Sequence, residues 1–207
     1  MKYLTVNDPD SIKEYEWLDL TGDNLESGGG DKRLIYKLYG TDCIIINNDT
    51  NCVKRLFVNG KKCAVTPGLI RVPKLEDSVV YIEFNRFAKS FRRAFFTSNL
   101  SSLPLDLFAN CLDAQNFSGT FLACGDLHFV PVGIFDNNRK ATNFSNTFES
   151  CYSFGGSSPY TMIGGKKVHL YERKNYPEHF ATPTEHQNCF YACPSLYDFE
   201  EIPGDWK

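Results

Sequence analysis

Leu34-Ile35-Tyr36-Lys37-Leu38-Tyr39-Gly40-Thr41-Asp42-Cys43-Ile44-Ile45-Ile46 is the stretch on which the fold turns. Two aromatic and aliphatic runs flank Gly40-Thr41-Asp42, a short polar break, and such runs favour a pleated, half-buried surface. Both runs are therefore expected as strands. The same pattern continues downstream. Asn47-Asn48-Asp49-Thr50-Asn51 reads as a turn. Residues 53–58 and 61–65 flank Asn59-Gly60, the strongest short hairpin signal. Residues 69–72 and 78–84 complete a predicted meander of short antiparallel strands. Aromatics make up 14% of the chain, with 17 Phe and 11 Tyr against 2 Met, which agrees with a sheet-rich fold.

Upstream, Asp8-Pro9-Asp10 carries an N-cap followed by proline at the first helical position. Ile12, Tyr15 and Leu18 then share one face of an expected helix over residues 8–20. Gly28-Gly29-Gly30 follows as a flexible tether. Residues 1–30 are expected as an N-terminal helical arm with its tether, and 31–207 as a single β-rich globular domain. The arm can pack on another copy through Ile12, Tyr15 and Leu18.

In the middle of the chain the period changes. Phe84, Phe87, Phe91 and Phe95 recur at helical spacing, with Arg86, Lys89, Arg92 and Arg93 between them. A second helix is expected from Ser102-Leu103-Pro104 to about Cys111. Strands are expected again at 119–123 and 127–135, and a hairpin over 160–171 turning at Gly164-Gly165. The tail from Tyr176 has no clear period, and no internal repeat is expected. The fold class read from these elements is α+β, mainly β: an antiparallel β-sandwich flanked by helices.

The length of 207 residues suits one sizeable core. Hydrophobic residues at 42% and charged residues at 23% exclude wholesale disorder. A net charge of -3 does not suit a protein that coats nucleic acid, so no specific nucleic-acid partner is expected. No run of about 18 apolar residues is present, and the N-terminus has no signal-peptide pattern, so an intracellular location without membrane contact is expected. Eight cysteines in a reducing compartment are expected as free thiols.

Three constellations carry possible chemistry. Cys124-Gly125-Asp126-Leu127-His128 holds a thiol, a carboxylate and an imidazole, the parts of a cysteine-dependent enzyme. The preferred reading is a buried thiol beside a surface turn, with no catalytic residue. His179, His186, Cys189 and Cys193 are potential zinc ligands. Their spacing lacks the usual Cys-x2-Cys knuckle, and no metal is expected. Arg86, Lys89, Arg92 and Arg93 could hold a phosphate or nucleotide, because arginine forks match phosphate oxygens. The competing reading is the wet face of an amphipathic helix.

The stretch from Leu34 to Asn48, with a tyrosine-rich strand, a tight polar turn and an aliphatic strand ending in Asn, resembles the first hairpin of the cypovirus polyhedrins. Residues 78–84 and 119–135 fall where later strands of that family would lie. This chain is shorter, richer in cysteine and different in its C-terminal third. The resemblance implies a structural protein that self-assembles as trimers into intracellular crystals, the viral occlusion bodies that embed virus particles in the infected cell's cytoplasm. It implies no enzyme activity and no cofactor beyond a nucleotide held in the lattice. It also implies dissolution in alkali. Ionising 11 Tyr and neutralising 14 Lys would take the formal charge from -3 to about -28.

Overall fold

The computed structural model describes residues 4–5, 34–59, 61–73 and 79–207. The expected arm helix, with Ile12, Tyr15 and Leu18, lies outside the described residues. The fold is mainly β with antiparallel sheets. The helix among the described residues is confined to 3-10 turns at Leu170–Asn175, Phe199–Glu201 and Gly204–Trp206.

Ten strands are described: β1 (Leu4–Thr5), β2 (Leu34–Gly40), β3 (Cys43–Asn47), β4 (Val53–Val58), β5 (Lys61–Cys63), β6 (Leu69–Pro73), β7 (Val80–Phe84), β8 (Leu100–Ser102), β9 (Tyr160–Ile163) and β10 (Lys166–His169). The main sheet runs β1-β2-β7-β4-β5, with β8 also on β2. β7 is buried along its length because it lies between β2 and β4, pairing Ile82 with both Tyr36 and Leu56. Its Glu83 carboxylate is held by Lys54 and Arg55 at 3.2 and 3.3 Å.

The strand positions read from the sequence between Leu34 and Phe84 hold to within two residues at their ends, but the meander does not. β2 and β3 do not pair with each other; β3 pairs with β6, placing Ile44 opposite Val72 and Ile46 opposite Ile70. The physical reason sits at Gly40. A Cβ there would stand 2.8 Å from the Asn99 carbonyl oxygen, so only glycine lets that backbone approach. Thr41 N–H donates to Asn99 O (2.9 Å), Asn99 N–H to Cys43 O (3.0 Å), and Asn47 N–H to Ala94 O (2.7 Å). The chain thus divides between two partners at the turn.

Residues from 90 onward form stacked coils, a short solenoid, and this overturns the expectation of no internal repeat. Parallel bridges join Ser90 to Asn116, Asn116 to Asn143, and Asn143 to Glu185, steps of 26, 27 and 42 residues. Phe91, Arg93, Phe95 and Thr97 donate their N–H groups to Asn116, Ser118, Thr120 and Leu122 in the next coil at 2.7–2.9 Å. Phe117, Gly119, Phe121 and Ala123 do the same to Asn143, Ser145, Thr147 and Glu149. Phe144, Asn146, Phe148 and Ser150 repeat it onto Glu185, Gln187, Cys189 and Tyr191. This ladder satisfies the backbone of segments that form no regular strand.

Within each coil two tight turns follow one another. Each ends on a left-handed residue: Arg93, Gly119, Asn146 and Asn188 in one column (φ 55–60°), Thr97, Ala123, Ser150 and Ala192 in the other (φ 56–60°). Two successive four-residue turns bring every fourth side chain inward. Phe91 and Phe95 therefore reach the core without a helix, while Phe87 stays 65% exposed. The helices expected at 84–95 and 102–111 are replaced by these turns, as are the strands expected at 119–123 and 127–135.

The inward phenylalanines stack from coil to coil. Phe91, Phe117 and Phe144 form one column, with centroids 5.5 and 5.8 Å apart and rings within 9° of parallel. Phe95, Phe121, Phe148 and Phe190 form another, at 5.8, 5.4 and 5.8 Å. Such ring pairs add about 0.5–1.5 kcal/mol each beyond burial. The third coil carries the β9–β10 hairpin, which turns at Gly164-Gly165 as read from the sequence. The last coil is closed by Trp206, which lies on His186 at 4.5 Å, and Phe190 N–H donates to Trp206 O. Trp206 thus covers the apolar end of the phenylalanine column, as a terminal cap does in a repeat stack.

Candidate functional site

Side chains at the outward turns of the first three coils line a groove of about 290 Å3: Arg92, Arg93, Ser118, Gly119, Leu122, Asn146 and Glu149. Arg93, Gly119 and Asn146 belong to one left-handed column, so the ladder itself sets them side by side. Gly119 is the floor. A Cβ there would meet Arg93 Cγ at 3.2 Å, and its φ of +60° disfavours branched side chains. The Arg93 guanidinium lies over the Phe96 ring at 5.8 Å. The Asn146 side-chain amide donates to Glu149 Oε2. Arg92 and Arg93 are both exposed, and among the described residues no carboxylate lies within ion-pair distance of either. The site can offer two planar guanidinium forks to one ligand.

Of the four basic residues singled out in the sequence, the structure brings Arg92 and Arg93 together and leaves Arg86 and Lys89 out. Arg86 stacks over Phe87 at 4.8 Å. The Lys89 backbone carbonyl accepts from Gln115 and Asn116, and its side-chain charge acts on Asp113. Asp113 is held below the usual carboxylate range first by its hydrogen bond from Lys140 (2.6 Å).

The cysteine-hydrolase parts are put to other use. Cys124 is fully buried, and its thiol donates to Phe95 O at 3.0 Å; burial pushes its pKa up to about 12. A thiol so placed is no nucleophile. His128 turns its Nδ1 to the Asp126 carbonyl, and the Asp126 carboxylate takes Thr41 Oγ1 and the Asn99 amide. Cys151 and Cys193 repeat the Cys124 contact, donating to Phe121 O and Phe148 O at 3.1 and 2.9 Å. All eight cysteines are free.

The four potential zinc ligands are likewise dispersed. His186 stacks on Trp206 and contacts Asp205 at 3.0 Å, and Cys189 is buried. Cys193 belongs to the thiol column, and His179 lies 3.6 Å from Glu178. Among the described residues no three His, Cys, Asp or Glu side chains are grouped to hold a metal ion.

One constellation escaped the sequence reading. Ser158 Oγ donates to Asp198 Oδ2 at 2.6 Å and lies 2.7 Å from His169 Nδ1, while Asp198 Oδ2 is 3.3 Å from the same nitrogen. Serine and aspartate thus share one ring nitrogen, which leaves no relay across the imidazole. Ser158 is fully buried, out of reach of a substrate. The three residues fasten the β10 end of the hairpin to the last coil. They are 11 and 29 residues apart in sequence, and no local signal joins them.

The chain finds no significant match among protein-family models, curated proteins or solved structures.

Proposed function

We propose that the chain is a non-catalytic solenoid module that binds an anionic partner in the Arg92–Arg93 groove. The observation that supports it is the pair of exposed guanidinium groups, with no carboxylate within ion-pair distance among the described residues, facing a groove with a glycine floor. Exposed basic residues on folded surfaces are commonly balanced by nearby acids, and a charge-assisted pair with a ligand is stronger than a neutral hydrogen bond. The test is calorimetric titration of the full chain with inorganic pyrophosphate at low and moderate salt. Binding that weakens with salt and is lost in Arg92→Ala/Arg93→Ala supports the reading; wild-type protein that binds no anion refutes it.

A second reading has its own support. Phe87, Phe129, Tyr152, Tyr191 and Tyr197 are all more than half exposed, an aromatic surface suited to homotypic contact. On that reading the antiparallel strands belong to a β-sandwich, trimers pack into intracellular crystals around virus particles, and the crystals dissolve in alkali. Faceted inclusions in expressing cells would support it, and a monomer that stays dispersed at high concentration would count against it.

A further inference from the structure

Resting on the anion-binding reading, we propose that the groove takes a carboxylated sugar chain, an oligouronate. The composition of the groove decides between anions. A phosphate site has no use for Glu149, whose carboxylate lines the same groove as the arginines and repels any dense anion there. A sugar has hydroxyl donors for that carboxylate. Asn146 already donates to Glu149 and fixes its orientation, leaving the carboxylate's remaining lone pairs for the ligand. Ser118 adds a hydroxyl that can both give and accept. Leu122 offers an apolar patch for the C–H face of a ring, and the missing side chain at Gly119 leaves room for the ring to settle against backbone. The sugar's own carboxylate then takes the guanidinium forks.

The repeat extends the match along the stack. Ser118, Ser145 and Gln187 hold the same position in successive coils, as do Asn146 and Asn188, and Ser145 Oγ donates to Gln187 Oε1 at 3.1 Å. The coil step, set by backbone hydrogen bonds of 2.7–2.9 Å between coils, is about 4.7–4.9 Å, on the order of one pyranose unit. A linear polymer lying across the coils would meet a hydroxyl or amide at each step, with its charge anchored at the arginine end.

The experiment titrates the full chain with hexagalacturonate, with maltohexaose as a neutral hexaose, and with inorganic pyrophosphate. Hexagalacturonate is expected to bind at least about tenfold more tightly than either comparison ligand, and Arg92→Ala/Arg93→Ala to lose about tenfold or more. Glu149→Gln gives a diagnostic sign. It weakens hexagalacturonate binding if the carboxylate receives sugar hydroxyls, and strengthens binding of any anion if it only repels. Far-ultraviolet dichroism confirms that each exposed-site variant is folded. Pyrophosphate binding as tight as hexagalacturonate, with Glu149→Gln tightening both, overturns the sugar inference and leaves the anion reading standing. Maltohexaose binding as tightly as hexagalacturonate overturns it as well. No binding of any anion removes both.

Discussion

Phe87 and Phe91 are four residues apart, and their fates separate the two ways in which this segment could fold. On a helix, Phe84, Phe87, Phe91 and Phe95 would share one buried face, so truncating any of them would be similarly damaging. In the coil, Phe91 is fully buried against Phe84 (5.1 Å), Phe108 (4.9 Å) and Phe117 (5.5 Å), whereas Phe87 is 65% exposed. Phe91→Ala should therefore destabilise by about 3–5 kcal/mol, the range for emptying an aromatic site that cannot collapse. Native stability is typically about 5–15 kcal/mol, so this is a large share of it. Phe87→Ala should stay within about 0.5 kcal/mol, the usual range for surface changes. Urea unfolding followed by fluorescence reads the difference. With a slope of about 2 kcal/mol per molar urea, Phe91→Ala lowers the midpoint by about 2 M and Phe87→Ala by about 0.25 M or less. Equal shifts for the two variants would refute the stacked-turn assignment.

Two further perturbations test the coil geometry. Gly119→Asn should be tolerated, because Asn146 and Asn188 hold the same left-handed position in later coils, whereas Gly119→Val should lose about 1–3 kcal/mol and fill the groove; thermal unfolding and pyrophosphate titration read both effects. The buried thiols predict alkaline unfolding. Burial raises Cys111, Cys124 and Cys193 from an ordinary 9.0 to about 12. Above pH 9 the unfolded chain releases protons that the folded chain keeps, so stability is full below pH 9 and falls as pH rises towards 12. Each thiol removes stability as the pH climbs above 9, about 2 kcal/mol between pH 9 and 11, and Cys124→Ala should flatten the pH profile over that window by this amount in urea titrations. An unchanged profile in Cys124→Ala would show that the thiol is not part of the alkaline response.

What the sequence determined by itself was the part governed by neighbours along the chain. The strand positions from Leu34 to Phe84 follow from aliphatic and aromatic runs broken by polar turns. The Asn59 and Gly164-Gly165 hairpins follow from residues that accept left-handed backbone, which they do adopt at φ 51°, 55° and 81°. The basic residues at Arg92 and Arg93 were also visible, although Arg86 and Lys89 were grouped with them by proximity in sequence. Tertiary structure decided the rest. A four-residue phenylalanine period fits either a helix or two successive tight turns, and the choice rests on hydrogen bonds to a coil 26 or 27 residues away. Those bonds satisfy the backbone only once the next coil is in place, so no local window can register them. The separation of β2 from β3 has the same origin, since it depends on Asn99 reaching Gly40 from 59 residues downstream. The groove is decided in the same way: Arg93, Gly119 and Asn146 become neighbours only because each coil repeats the left-handed turn of the one before it.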